Sequence, residues 1–462
     1  MNGLSVSGKS ISIIGAARSG VGVAHLLHAM GSTVFVSDNA QEEILKSQVA
    51  KLKSEGIEYE TGGHSERVFN CSLMVLSPGV PSNARVVLEA RTRGIEVVSE
   101  LEVASWFCSA PIVAVTGSNG KTTTTTLIGR ILGDAKKKHV VAGNIGTAFS
   151  SVVLGLAETD IVVLEVSSFQ LDTCKTFRPK VSVILNITAD HLDRYENSME
   201  KYANSKARIF MNQRSDDVLL YNDDDPWSRK IVSSARCRTL PFSIQQTVPE
   251  GVFVERGRVV SVLEHRRSEI IDVEGISIPG KHNMYNAMAA ALTGEILGVR
   301  TPSIRATLKN FKGVEHRLEF VREIGGVRFV NDSKATNVDA VWYALQAYRE
   351  PLVLLLGGRD KGNDYSRLFD LARARVKAIV AIGESADKVV SAFQNIVRVE
   401  VVRSKSTDMP NHTAMKEAVR KAKNFADPGD IVLLSPACAS FDWFHNYEER
   451  GQTFKEIVAA LS

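Results

Sequence analysis

The chain has 462 residues, of which 44% are apolar and 23% charged, and its formal net charge is +4. This composition excludes a disordered protein, gives no reason to expect a nucleic-acid partner, and allows about three domains of ordinary size. No run approaches ~18 apolar residues and the N-terminus lacks a signal peptide, so we expect neither a membrane partner nor secretion. Five scattered cysteines without a CxxC pair fit free thiols in a reducing cytoplasm.

Short apolar strands alternate with helical stretches almost throughout, which is typical of parallel α/β sheets. The first such segment, KSISIIGAARSGVGVAHLLHAMGSTVFVSD, predicts a strand, a turn, a helix and a second strand that ends at Asp38. A nicotinamide-dependent oxidoreductase could begin in this way. However, Ala17 stands where the second glycine of G-x-G-x-x-G belongs, which argues against that function.

The pattern restarts with PIVAVTGSNGKTTTTTLIGRIL, which is similar to a phosphate-binding P-loop. Gly117 and Gly120 would turn backbone N–H groups towards phosphate oxygens, and the helix N-terminus would add positive potential. Lys121 would contribute a charge and Thr122 a hydroxyl for Mg²⁺. Val115 occupies the place of the motif's first glycine, so the loop is shorter than the general pattern.

Five threonines follow Lys121, although threonine is a mediocre helix former. At a helix start, hydroxyl groups can satisfy N–H groups that the helix leaves unpaired. We assign Thr122 to a metal and Thr123 to a phosphate or a backbone group. Residues 124–126 are expected to pack against the sheet.

Polar residues follow the next apolar strands. Glu165 ends the strand in DIVVLEVSSFQLD, where a second Mg²⁺ ligand is expected. His191 in NITADHLDRY follows another strand and is interpreted as a ligand or substrate contact. Lys206 lies on the predicted helix SMEKYANSKARIF, and spacing alone indicates a solvated lysine.

Residues 236–278 contain alternating short strands, which predict a small antiparallel β patch appended to the central domain. A third α/β segment holds the strands GVRFVND, PLVLLLGG, VKAIVAIG and DIVLLSPA. We place the domain boundaries near residues 105 and 314, which gives domains 1–105, 106–314 and 315–462. Arg317 could clamp a phosphate and Asp332 could bind a ribose hydroxyl, while Lys334, Lys361 and Ser440 could hold a carboxylate.

Seven blocks in order, TGSNGKTT, GNIGT, EVSSFQL, DHLDRY, EHRLE, NDSKATN and LSPACASFDWF, resemble the Mur ligases over essentially the whole chain. The resemblance implies an α/β fold of three domains. N- and C-terminal Rossmann-like domains, for a UDP-sugar and an amino acid, would flank a central P-loop ATPase domain.

The resemblance also implies roles for individual residues. Thr122 and Glu165 would hold one Mg²⁺, and His191 would hold a second with Lys206, which is carbamylated in this family. The implied catalytic residues are Lys121, Asn144, His191 and Lys206, with Asn144 near the reacting carboxylate. The implied ATP-binding residues are Gly117, Ser118, Asn119, Gly120, Lys121, Thr122, Thr123, Asn283, Arg317 and Asp332. The implied contacts to the UDP part are Arg18, Ser19, Asp38, Ser77 and Gly79, and those to D-glutamate are Thr336, Lys361, Ser440, Phe441 and Tyr447.

The implied activity is the ATP-dependent addition of D-glutamate to UDP-N-acetylmuramoyl-L-alanine through an acyl phosphate, in cytoplasmic peptidoglycan precursor synthesis. The enzyme would act as a monomer on small molecules. Two alternatives stay open: a sibling ligase that adds another amino acid or glutamates a folate, and a nucleotide-binding protein without ligase activity.

Overall fold

The structure is a computed structural model that describes residues 6–144, 146–190, 192–360, 362–404 and 409–461, with the backbone alone at position 193. The chain forms two compact units. The first comprises Met1–Gly275 and Tyr285–Leu308, and the second Ile276–Met284 and Lys309–Ser462. The domain boundaries near 105 and 314 stay predictions.

The N-terminal sheet lies in the first unit and is parallel throughout, in the order β3-β2-β1-β4-β5. Its strands are β1 (Ser10–Ile14), β2 (Thr33–Asp38), β3 (Glu58–Thr61), β4 (Leu73–Leu76) and β5 (Glu96–Ser99). Its helices are α1 (Arg18–Ala29), α2 (Lys46–Ser54), α3 (Arg85–Thr92) and α4 (Glu100–Trp106). The predicted Rossmann-like topology is confirmed.

The central sheet has nine strands in the order β14-β13-β12-β11-β10-β9-β6-β8-β7. Its strands are β6 (Ile112–Thr116), β7 (His139–Gly143), β8 (Ile161–Glu165), β9 (Val181–Ile184), β10 (Val218–Asn222), β11 (Arg238–Ser243), β12 (Gly251–Glu255), β13 (Arg258–Leu263) and β14 (Arg266–Asp272). The helices of this region are α5 (Lys121–Asp134), α6 (Ser168–Leu171), α7 (Met199–Ala207), α8 (Pro226–Val232), α9 (Lys281–Ile296) and α10 (Thr301–Asn310). β6 is fully buried between β8 and β9, so the loop that follows it starts at the middle of the parallel part of the sheet.

The expected antiparallel patch is an extension of this same sheet. β11 pairs with β10 and β12 in parallel, and only the β12–β13 and β13–β14 pairs are antiparallel. The patch therefore adds three antiparallel-paired strands to the edge of the parallel sheet.

The second unit contains a six-stranded sheet in the order β15-β16-β20-β17-β18-β19. Its strands are β15 (Glu319–Ile324), β16 (Val327–Asn331), β17 (Leu352–Gly357), β18 (Val376–Ile382), β19 (Arg398–Val402) and β20 (Ile431–Leu434). Its helices are α11 (Val338–Gln346), α12 (Phe369–Arg375), α13 (Ala386–Phe393), α14 (His412–Phe425) and α15 (Tyr447–Ala459). The sheet is mixed rather than wholly parallel, because the edge strand β15 runs antiparallel to β16.

Two buried carboxylates at the start of α4 join the N-terminal and central sheets within the first unit. Glu102 accepts hydrogen bonds from the backbone N–H groups of residues 175–177, at 2.8–3.0 Å, and from the Trp106 indole at 3.0 Å. Glu100 accepts from the Ser150 N–H at 2.8 Å. A carboxylate that satisfies several N–H groups is a strong link, so Glu102 in particular holds the two sheets together.

Within the described residues, no helix is both long enough and apolar enough to cross a membrane. All five cysteines carry free thiols, as expected, and Cys174 and Cys438 are buried.

Candidate functional site

In the turn after β6, the lysine side chain folds back onto backbone carbonyl groups of the same turn. Lys121 Nζ donates to the carbonyl oxygens of Gly117 at 2.8 Å and Ser118 at 2.9 Å. Lys121 begins α5, so the N–H groups of the first helical turn lie beside it. The arrangement concentrates positive charge and N–H donors at one loop, as phosphate binding requires.

Asn186, after β9, holds this turn from the neighbouring strand. Its side chain accepts from the Asn119 N–H at 2.9 Å and donates to the Asn119 carbonyl at 3.0 Å. Gly120 adopts φ 86°, and a side chain there would clash with Asn286. The Asn119 side-chain nitrogen is buried and has no hydrogen-bond partner among the described residues, which suits a group that binds phosphate.

Thr122 and Asn144 converge on Glu165 at the end of β8. Glu165 accepts from the Thr122 hydroxyl at 2.8 Å and from the Asn144 amide at 3.0 Å, and it is 2% exposed. Three residues that lie far apart in the sequence thus form one oxygen-rich cluster beside the turn. Hydroxyl and carboxylate oxygens are the ligands that Mg²⁺ prefers in proteins.

Lys206 is buried, not solvated as its spacing alone indicates. It is 1% exposed, donates to the Gly117 carbonyl at 3.0 Å, and lies 4.4 Å from the centre of the Tyr202 ring. Burial, reinforced by the positive charge of Lys121, holds the pKa of the Lys206 amine well below its ordinary value. The amine therefore lies against the Gly117–Lys121 turn, where burial disfavours its charged form.

The hydroxyl groups of the threonine run have different surroundings. Thr122 contacts Glu165 and Thr123 is buried, while Thr124 and Thr125 are fully buried and the Thr124 hydroxyl contacts Asn286 on α9 rather than the sheet. Thr126 is half-buried.

In the N-terminal sheet, the predicted UDP-contacting residues gather around the turn after β1. Asp38 accepts from the N–H groups of Ala16 and Ala40, and the Ser77 hydroxyl donates to the Gly15 carbonyl at 2.9 Å. Ser19 is buried, whereas Arg18 and Gly79 are exposed. A side chain on Gly20 would clash with the Gly15 carbonyl, so this glycine allows α1 to pack closely on the turn.

The second unit contains the other predicted nucleotide contacts. Asp332 follows β16 and accepts from Ser435 at 2.8 Å, and burial raises the pKa of its carboxyl to about 6 although Arg317 opposes the shift. Burial, with the positive charge of Arg317, lowers the pKa of His282 to about 3, so this imidazole is neutral. Asn283 donates to the Pro279 carbonyl at 2.7 Å.

The predicted D-glutamate contacts also lie in this unit. Ser440 is buried, Phe441 is 55% exposed, and Thr336 is half-buried in the loop after β16. Tyr447 begins α15, and Lys334 Nζ lies 5.3 Å from the centre of its ring. The loops after β16 and β20 are joined by Arg450, a buried arginine that donates to Ser333 and to the Cys438 carbonyl.

Two predicted site residues, His191 and Lys361, lie outside the described residues. In the described part of the chain, no group of three or more His, Cys, Asp or Glu side chains could hold a metal ion. A metal at Glu165 would therefore depend on the Thr122 hydroxyl and on groups of other kinds.

Asn186 and Arg450 carry structural roles that the sequence did not reveal. Asn186 could have been suspected from its place directly after an apolar strand, in LNI. Arg450 lies inside a helix, and nothing in its neighbourhood indicates burial.

Comparisons with known proteins agree with this geometry along the chain. Residues 10–86 match the MurD N-terminal domain, residues 115–294 the Mur ligase middle domain, and residues 316–438 the Mur ligase, glutamate ligase domain. The UDP-N-acetylmuramoylalanine–D-glutamate ligase of Salinibacter ruber is 46% identical over 461 residues, which cover 97% of each chain. The chain belongs to the Mur ligase family.

Other members of the Mur ligase family are also similar over their full length. The UDP-N-acetylmuramoylalanine–D-glutamate ligase of Pelotomaculum thermopropionicum is 43% identical over 98% of both chains. The fold resembles MurC from Thermotoga maritima (TM-score 0.60, 18% identity, 98% and 99% coverage) and MurF from Acinetobacter baumannii (0.62, 18%, 96% and 93%). At these identities the structures show the fold alone, which is the three-domain α/β fold of Mur ligases.

Proposed function

We propose that this Mur ligase uses ATP to join D-glutamate to UDP-N-acetylmuramoyl-L-alanine. The observation that carries the ligase assignment is the buried Thr122–Glu165 pair beside the Gly117–Lys121 turn. The choice of D-glutamate is supported by relatives of 41–46% identity whose names state that activity and whose full length the chain covers.

The reaction needs activation, because a carboxylate oxygen is a poor leaving group. A carboxylate oxygen of the sugar-linked L-alanine attacks the γ-phosphorus of ATP, and ADP leaves. The uncharged amine nitrogen of D-glutamate then attacks the acyl carbon of the acyl phosphate. Inorganic phosphate leaves with the C–O bond electrons, and the nitrogen releases a proton to the departing phosphate or to water. Lys121 and the N–H groups at the start of α5 would stabilise charge on the transferring phosphoryl group.

Mg²⁺ fits the Thr122–Glu165 pair, since both residues offer hard oxygen ligands and the acid is buried. When bound, the ion would neutralise phosphate charge. Asn144 orients Glu165 through its amide, and it could donate to the substrate carboxylate after a small rotation. We also propose that His191 and Lys206 hold a second Mg²⁺ ion.

Lys206 could supply an anionic ligand through carbamylation. Burial lowers the pKa of its amine and so makes the uncharged nitrogen more accessible. The uncharged nitrogen can attack the carbon of CO₂ and release a proton to water, which gives a carbamate. A carbamate is an anion, which explains how a lysine could serve a metal. The buried position protects the product from bulk water.

The amino acid would be bound in the second unit by Thr336, Lys361, Ser440, Phe441 and Tyr447. Asp332, Arg317 and Asn283 would contact the nucleotide from this unit. We place the reaction in the cytoplasm, because its nucleotide substrates are made there, and we expect a monomer, which sedimentation of the purified protein would check.

The deciding experiment measures phosphate release from ATP with UDP-N-acetylmuramoyl-L-alanine and a panel of amino acids. We expect turnover with D-glutamate, none with L-glutamate, and none without the sugar nucleotide. Lys121→Ala should abolish turnover, whereas Lys138→Ala, a change at an exposed lysine, should not. Turnover with a different amino acid would identify a sibling ligase, and no release with any pair would favour nucleotide binding alone.

A further inference from the structure

Arg194, which follows β9 of the central sheet, has a buried nitrogen donor without an acceptor among the described residues. It lies in the short helical turn Leu192–Tyr195, and its guanidinium carbon is 4.1 Å from the centre of the Phe169 ring. One of its terminal nitrogens is buried and has no hydrogen-bond partner among the described residues. A guanidinium that lies over an aromatic ring does not use its N–H groups in that contact, so they can still donate to an acceptor.

Two other partly buried arginines of the first unit have acceptors. Arg208 donates to the carbonyls of Leu171 and Cys174, and Arg178 pairs with Asp216 and Asp217. A buried cationic donor without an acceptor is costly, and native structures seldom tolerate one unless a ligand completes it. Arg194 therefore points to an anion that is not part of the protein.

The surroundings place this anion close to the reaction. Phe169 is four residues beyond Glu165, the last residue of β8, and Arg194 follows β9. Both strands pair with β6, after which the Gly117–Lys121 turn begins. Aromatic contacts continue from Phe169, which stacks on Tyr195 with centroids 6.2 Å apart, to Tyr202, whose ring is tilted against Tyr195 at 5.2 Å. Tyr202 contacts Lys206, so Arg194 and Lys206 lie at opposite ends of one aromatic row.

Charge complementarity indicates which anion this is. Lys121 serves the ATP phosphates, and the proposed D-glutamate contacts belong to the second unit. The residues around the N-terminal turn include the acid Asp38, and their one proposed cation, Arg18, is exposed. The sugar nucleotide carries a diphosphate and a carboxylate, and either group could accept a hydrogen bond from the buried Arg194 nitrogen. We infer that Arg194 binds an oxyanion of the sugar-nucleotide substrate, an inference that rests on the proposed function.

The test compares Arg194→Met with Arg130→Met, a change at an exposed arginine of the same unit. After the wild-type enzyme has shown turnover, we expect Arg194→Met to raise the KM for UDP-N-acetylmuramoyl-L-alanine about 10- to 100-fold. The KM values for ATP and D-glutamate should stay within about twofold. If Arg194→Met has a lowered melting temperature, the same KM values are measured with Arg194→Gln, which keeps a polar group at the end of the side chain.

Titration of UDP into wild-type and Arg194→Met protein separates the two possible oxyanions. Weakened UDP binding assigns Arg194 to the diphosphate, whereas unchanged UDP binding with a raised sugar-nucleotide KM assigns it to the carboxylate. An unchanged sugar-nucleotide KM in a folded variant overturns the inference, and so does a rise confined to ATP or D-glutamate. An inactive wild-type enzyme would instead contradict the proposed function.

Discussion

Thr122 donates its hydroxyl to Glu165 across 2.8 Å and so connects the first turn of α5 to the end of β8. Neither residue is near the other in the sequence, and the parallel pairing of β6 with β8 brings them together. The contact places a hydroxyl and a carboxylate beside the same Gly-Lys turn. Two of the four predictions below follow from this part of the site.

Thr122→Val should lower turnover about 100-fold or more, because valine keeps the shape and removes the hydroxyl that contacts Glu165. Thr122→Ser should retain at least a tenth of the activity. Phosphate release at saturating ATP and several Mg²⁺ concentrations measures both. Thr125→Val is the matched control, since the Thr125 hydroxyl is buried without a partner among the described residues. Equal losses in the two valine variants would contradict the role of Thr122.

Lys206→Ala should also lose about 100-fold in turnover, and short-chain carboxylates such as acetate should partly restore it by replacing the carbamate anion. Lys201→Ala is the control, because Lys201 lies on the same helix, is exposed and pairs with Glu196. Native activity in Lys206→Ala would remove the proposed metal role. Loss without rescue by any carboxylate would argue that the amine itself acts.

Much of the fold could be predicted because each sheet repeats a strand–turn–helix pattern. β16, β17, β18 and β20 are apolar runs and were predicted. β15 and β19 were not, since these edge strands expose polar residues and lack a continuous apolar run. The antiparallel β15–β16 pair could have been recognised from Gly325-Gly326 between its strands.

Candidate site residues could be predicted where a charged residue lies at or shortly after the end of an apolar strand, as at Lys121 and Glu165. Lys206 shows what a single sequence lacks. The sequence of its helix indicates a solvated lysine. In the structure the side chain is buried, and its amine contacts the Gly117 carbonyl and the Tyr202 ring. Tertiary contacts of this kind leave no local pattern, and only the resemblance to Mur ligases indicated a role for Lys206.

Glu102→Ala should lower the stability of the first unit by about 3–5 kcal/mol, because it leaves the N–H groups of residues 175–177 without their acceptor. In a unit of this size the melting temperature should fall by about 5–8 °C. Differential scanning calorimetry measures the shift. At 25 °C, kcat and the KM values should change less than twofold, since Glu102 lies in the join between the sheets.

Glu158→Ala, a change at an exposed acid of the same unit, is the control for Glu102 and should melt with the wild type. A normal melting temperature in Glu102→Ala would mean that the N-terminal and central sheets are held together by their apolar contacts alone.

Glu100→Gln should change how the stability of the first unit depends on pH. Burial raises the pKa of the Glu100 carboxyl above its ordinary value of 4.5, so the folded state holds this proton more tightly than the unfolded state. Stability then falls as pH rises from about 4.5 towards the raised pKa, and the whole penalty is present above it.

Glutamine keeps the acceptor for the Ser150 N–H and carries no charge. The variant should therefore have a higher melting temperature than the wild type at pH 7–8 and the same melting temperature near pH 4.5. Calorimetry across this pH range measures both. Parallel curves for the two proteins would show that Glu100 does not titrate with folding.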